Sequence, residues 1–216
     1  MSTAVAPAPH AHAPGHGHDD EGPLMAHGTV LQTGVTNGKI AMWLFLGSEV
    51  MFFTGLIGAY IVLRFAQPPG NWPDPAQTLN VPLTAANTFL LICSSVTLVW
   101  GLQSIQAGDR AKGNWGLFLT TVFGAIFVGV QAYEYYELYG HQVRPWSNIF
   151  GSCFYIMTGF HGFHVLCGVI AMAVLWIKGL LGHFGPKNFA AVELTGLYWH
   201  FVDLVWIVLF AIVYLV

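Results

Sequence analysis

The chain has 216 residues, of which 55% are hydrophobic and only 8% are Asp, Glu, Lys or Arg, roughly a third of the charge content of soluble proteins. Such a composition belongs in lipid, and a formal net charge of -3 leaves no basic surface for nucleic acid. Five nearly uncharged runs, at about 40–64, 83–105, 115–136, 149–177 and 194–216, each reach the length of roughly 20 residues that a bilayer-crossing helix needs. The expected fold is therefore all-α with five transmembrane helices, and the connections between the runs are too short for a second domain.

Residues 1–38 are rich in Ala, Pro, Gly and His, contain no lysine or arginine, and lack the basic start and apolar core of a secretory signal. This segment reads as a disordered tail. His10, His12, His16 and His18 form a short tract of the kind that can hold a transition metal loosely, but a flexible, dispensable tail is the preferred reading. Lys39, Arg110, Lys112, Lys178 and Lys187 flank the ends of the runs on the tail side, whereas Arg64 and Arg144 fall on the other side. Because basic residues accumulate in the cytoplasm, the tail is expected inside and Val216 outside.

The first run carries an acid, Glu49, about 14 Å from its start at Ile40 if helical. An acid at that depth costs roughly 2.5–3.5 kcal/mol, which more than a dozen Leu, Ile, Phe and Val offset at about 0.3–0.6 kcal/mol each. Intramembrane acids are candidate functional sites. Helical spacing puts Gly47, Thr54 and Gly58 on one face, with Gly55 at its margin. Phe45, Glu49, Phe52, Phe53, Leu56 and Tyr60 lie opposite. Small residues permit close helix contact, so the glycine face is expected to pack tightly and Glu49 to border a cleft or lipid-lined space.

The loop 66–82 holds Pro68, Pro69, Pro73 and Pro75, which exclude helix. Trp72 is expected at headgroup depth. Asn87, Thr88, Ser94, Ser95 and Thr97 on the second run are suited to bonding across helices. The third run ends in an aromatic and acidic belt, Gln131-Ala132-Tyr133-Glu134-Tyr135-Tyr136-Glu137, read as an interfacial anchor in which Glu134 could pair with Arg144. Cys93, Cys153 and Cys167 fall inside apolar runs without metal or redox spacing and are expected as buried free thiols.

His161 and His164 on the fourth run, and His200 and Asp203 on the fifth, are each three residues apart and share helix faces. Three imidazoles and a carboxylate are a sufficient ligand count for zinc or iron. The glycine-rich flanks and the absence of Glu-x-x-His or His-x-x-x-His spacing instead favour hydrogen-bonded networks, with no metal and no haem.

Four ordered motifs then resemble one family: Trp43-Leu44-Phe45-Leu46-Gly47-Ser48-Glu49-Val50-Met51-Phe52-Phe53, Gln131-Ala132-Tyr133-Glu134-Tyr135, His161-Gly162-Phe163-His164-Val165, and Trp199-His200-Phe201-Val202-Asp203-Leu204-Val205-Trp206. They are similar to subunit III of the haem-copper terminal oxidases in its short, five-helix bacterial form, lacking two front helices of longer members. The resemblance covers about 39–216. It implies a V-shaped bundle with phospholipid in its cleft, in a bacterial inner membrane, packed on subunit I of a proton-pumping cytochrome c oxidase. Haems and copper then belong to subunits I and II, cytochrome c is the donor to the complex, and this chain carries no redox centre and no catalytic residue. Glu49 matches the family's intramembrane glutamate, and His161, His164, His200 and Asp203 match its polar positions, all candidates for proton uptake or the lipid cleft. A quinol oxidase subunit III and a nitric oxide reductase-associated homologue share the motifs. From other classes, a proton-coupled transporter would show internal repeats and broken helices, and a structural scaffold would be indifferent to Glu49→Gln.

Overall fold

A computed structural model describes residues 36–68, 72–73, 78–140, 144–146 and 148–215; the histidines of the tail lie outside them. Five helices follow in order: α1 Asn37–Ala66, α2 Val81–Gln106, α3 Arg110–Gly140, α4 Ile149–Leu180 and α5 Ala190–Phe210, the last continuing as a π-helical turn, Ala211–Leu215. All five are long and apolar enough to cross a membrane. Several begin or extend a turn outside the apolar runs, because backbone bonding continues past the hydrocarbon boundary that hydropathy detects. Thus α3 takes in Arg110 and Lys112, and α5 takes in Glu193.

Local chemistry sets the ends. The side chains of Asn80, Asp109 and Asn148 accept from the backbone N–H groups of Leu83, Lys112 and Gly151, satisfying donors that a helix start leaves free. Gly108 and Gly182, with φ of 89° and 77°, close α2 and α4 in the left-handed conformation that glycine adopts without a Cβ penalty.

The closest pair is α2 and α3. A Cβ on Gly116 of α3 would lie 2.5 Å from the Cα of Gly101 in α2, so these backbones touch as only glycines permit. Next, α3 packs on α4, and α5 closes the bundle against α4 and α2. Two tryptophans of α5 fill its centre: Trp199 donates to Ser94 Oγ at 2.9 Å and Trp206 to Thr88 Oγ1 at 2.8 Å.

Helix α1 stands apart, resting mainly on α5 and α4. Only 6% of its most apolar window is buried, against 22–44% for the other helices. Its glycine face is not the packing face: a Cβ on Gly47, Gly55 or Gly58 would meet nothing within 4 Å. The bulky face packs instead, through buried Phe53 and Tyr60, because α4 and α5 offer aromatic rings that large side chains fill and glycines would leave as voids. The cysteines also differ from expectation. Cys93 and Cys153 are half-buried and Cys167 is exposed on the outer surface of α4, a position that costs nothing where the outer surface meets lipid.

Candidate functional site

Glu49 lies at the seam where α1 meets α4, its carboxylate Oε2 3.1 Å from His164 Nε2, with both side chains largely enclosed. Two phenylalanines of α1 line this contact, and Phe53 meets the His164 ring edge-on at 5.2 Å. The other ring nitrogen of His164, Nδ1, is 2.7 Å from Phe160 O. A carbonyl only accepts, so Nδ1 donates. The pair then holds one further proton, either on Glu49 donating to Nε2 or on Nε2 facing a carboxylate. Both forms are neutral overall, and this lowers the cost of an acid in lipid. Tyr198 of α5 donates to His164 O at 2.9 Å and lies tilted against the Phe45 ring of α1 at 6.2 Å, tying three helices together around the pair.

His200 and Asp203 form a second group at the α2–α5 contact, bridged by Ser95. Ser95 donates to Asp203 Oδ2 at 2.8 Å, so its oxygen accepts from His200 Nδ1 at 3.2 Å. This relay points His200 Nε2 away from the acid. In the sequence Ser95 is one of several bonding residues of the second run; its role as bridge is not legible there, since it depends on which helix faces it.

His161 joins neither group. It is fully buried, neither ring nitrogen has a hydrogen-bond partner among the described residues, and it stacks on Trp206 at 4.8 Å with Phe127 edge-on. Its imidazole serves as an aromatic filler between the two polar groups. The expected sharing of a face by His161 and His164 is loose: one points into the core and the other to the α1 seam. Among the described residues no group of three or more His, Cys, Asp or Glu could hold a metal ion.

The belt at the end of α3 also differs from expectation in its pairing. Glu134 is not paired with Arg144 but buried, 4% exposed, and its oxygens accept from Thr84 at 3.0 Å and Tyr214 at 2.9 Å. The π-helical turn brings Tyr214 to it. Arg144 lies over the Tyr139 ring at 4.8 Å. Beside Glu134, Gln131 donates to Thr158 O at 2.9 Å, and Tyr135 and Thr158 share a hydrogen bond of 2.7 Å. Trp72 is drawn inward, edge-on to Tyr60 at 5.3 Å and to Phe150 at 5.4 Å. It anchors the loop by packing.

Five membrane-length helices among the described residues, with polar groups turned to helix seams, define a multi-pass integral membrane protein. The family description "Cytochrome c oxidase subunit III" matches residues 20–216. The chain is 43% identical over 173 residues to a probable cytochrome c oxidase subunit 3 of Nocardia farcinica, covering 80% of this chain and 85% of the relative. It is 37% identical over 178 residues to the cytochrome c oxidase subunit 3 of Thermostichus vulcanus, covering 82% and 86%, and 38% identical over 202 residues to that of a Synechocystis species, covering 93% and 79%. The chain belongs to the cytochrome c oxidase subunit III family. It is a multi-pass membrane subunit of a terminal oxidase complex.

Proposed function

We propose that the chain is the redox-inactive subunit III of a proton-pumping cytochrome c oxidase in the bacterial inner membrane, with its tail inside and Val216 outside. In that role it stabilises subunit I, which with subunit II holds the haems and copper. It also holds phospholipid in the cleft of its V-shaped bundle and supports proton uptake. Cytochrome c donates electrons to the complex, in keeping with the chain's similarity to cytochrome c oxidase subunits.

The observation that carries this reading is the Glu49–His164 pair. It lies at the boundary between α1 and the rest of the bundle, it is neutral in either protonation form, and its proton can sit at Glu49 Oε2 or His164 Nε2 across 3.1 Å. Such a pair can pass its proton between the two side chains at a helix seam without changing its net charge, and a proton taken up or released there changes that charge by one.

The test uses Glu49→Gln in the assembled oxidase. Gln keeps a hydrogen-bonding group against His164 and removes the exchangeable acid. The expected result is a complex with normal haem content and subunit composition, slower proton uptake, and earlier loss of activity during turnover. Unchanged uptake and unchanged lifetime would overturn the role. Oxygen consumption driven by reduced cytochrome c and not by quinol fixes the donor; the reverse result assigns the chain to a quinol oxidase.

A further inference from the structure

At the end of the bundle where Asp109 and Gly182 turn the chain, α3 and α4 diverge. They leave a groove of about 260 Å³ lined by Asn114, Trp115, Phe118, Trp176 and Leu180. Asn114 is shared with a recess immediately beside it, which Arg110 lines. Arg110, Asn114 and Phe118 recur at intervals of four residues and so climb one face of α3. At 1.5 Å per residue the cation, the amide and the aromatic ring are stacked about 6 Å apart along the bilayer normal, charge outermost and ring innermost. Trp115 is 60% exposed, and Phe118 and Trp176 meet at 5.0 Å across the groove. Indole rings at a helix end mark the headgroup boundary.

The polar atoms offered here are donors. Arg110 makes no hydrogen bond or ion pair among the described residues, its guanidinium nitrogens lying beside Gly182 and Gly185. The nearest acid, Asp109, is taken by Lys112 at 2.9 Å. The Asn114 amide oxygen is buried against Gly179, where a Cβ would collide with it, and has no partner. Its amide nitrogen makes no hydrogen bond among the described residues. The unpartnered guanidinium selects an anionic acceptor, and the apolar walls beyond it select a chain attached to that acceptor.

We propose that this groove binds an anionic phospholipid, its phosphate at Arg110 and Asn114 and an acyl chain along Phe118, Trp176 and Leu180. The site is at the opposite seam of the bundle from Glu49 and stands independently of the proton-uptake reading, so Glu49→Gln leaves it intact.

The experiment labels the purified oxidase complex with phosphatidylglycerol carrying a photoactivatable acyl chain, and maps the cross-linked peptides by mass spectrometry. Label is expected on 115–118 or 176–180 and to be displaced by unlabelled phosphatidylglycerol. Phosphatidylcholine and inorganic phosphate leave it in place. R110Q should raise the competing concentration about fivefold, the change that about 1 kcal/mol per basic residue near anionic headgroups represents, and R110K should restore most of it. Gly179→Leu, which pushes on the Asn114 amide, should lower labelling in a complex of normal haem content. Equal displacement by phosphatidylcholine, displacement by inorganic phosphate, or labelling unchanged in R110Q would each overturn the proposal.

Discussion

Gly116 and Gly58 are alike in the sequence, small residues on apolar helices, yet they do opposite things. Gly116 of α3 is pressed against the backbone of α2, whereas Gly58 of α1 faces open space. The α2–α3 contact is made by backbones brought together. The α1 contact is made by large rings, Phe53 and Tyr60, and by one polar pair, Glu49–His164. A contact built from glycines tolerates no added atom; one built from long side chains at a seam can open and close.

The comparison can be broken most severely at Gly116. Gly116→Val should cost more than about 3 kcal/mol, the upper part of the overpacking range, and abolish recovery of assembled complex in mild detergent; Gly58→Val should leave the chain's own thermal unfolding unchanged. The buried acid comes next. Glu134→Leu strands the Tyr214 hydroxyl without its acceptor, at about 1–3 kcal/mol for a buried group left unpaired, while the Thr84 hydroxyl keeps Asn80 O at 3.0 Å, and should lower the thermal midpoint more than Tyr214→Phe does. The histidines give a sharper contrast with a smaller effect. His161→Phe removes no hydrogen bond and keeps an aromatic ring against Trp206, so stability should fall by less than about 1.5 kcal/mol with proton uptake unchanged. His164→Phe leaves Glu49 without its partner and should impair uptake as Glu49→Gln does.

The smallest effect lies outside the membrane. The Lys112 side chain, with its backbone N–H, holds the Asp109 carboxyl below its ordinary value of 3.8. A lowered acid stabilises the fold above its unfolded-state value and loses that contribution as pH falls through the folded one. The start of α3 should therefore fray only below about pH 4, a change that Asp109→Asn abolishes and that amide exchange of Lys112 reports. Because Asp109 lies at the surface, its side chain 40% accessible, global unfolding should hardly move.

The sequence by itself determined the number of spans, their order and the family, because hydrophobic length and contiguous motifs are local properties of the chain. It also singled out Glu49, His164, His200 and Asp203, since ionisable groups in an apolar run stand out without any knowledge of their neighbours. Only the tertiary structure decided which helix face is inside. In lipid an outward face is as apolar as an inward one, so helical spacing separated the glycine face of α1 from its aromatic face correctly but could not say which one packs. The same ambiguity of rotation hid Ser95 as the bridge between His200 and Asp203, turned His161 into a core ring, and exchanged Arg144 for Thr84 and Tyr214 as partners of Glu134. Each of those assignments depends on a contact between residues 34 to 108 positions apart, which docking of the helices creates and no single helix contains.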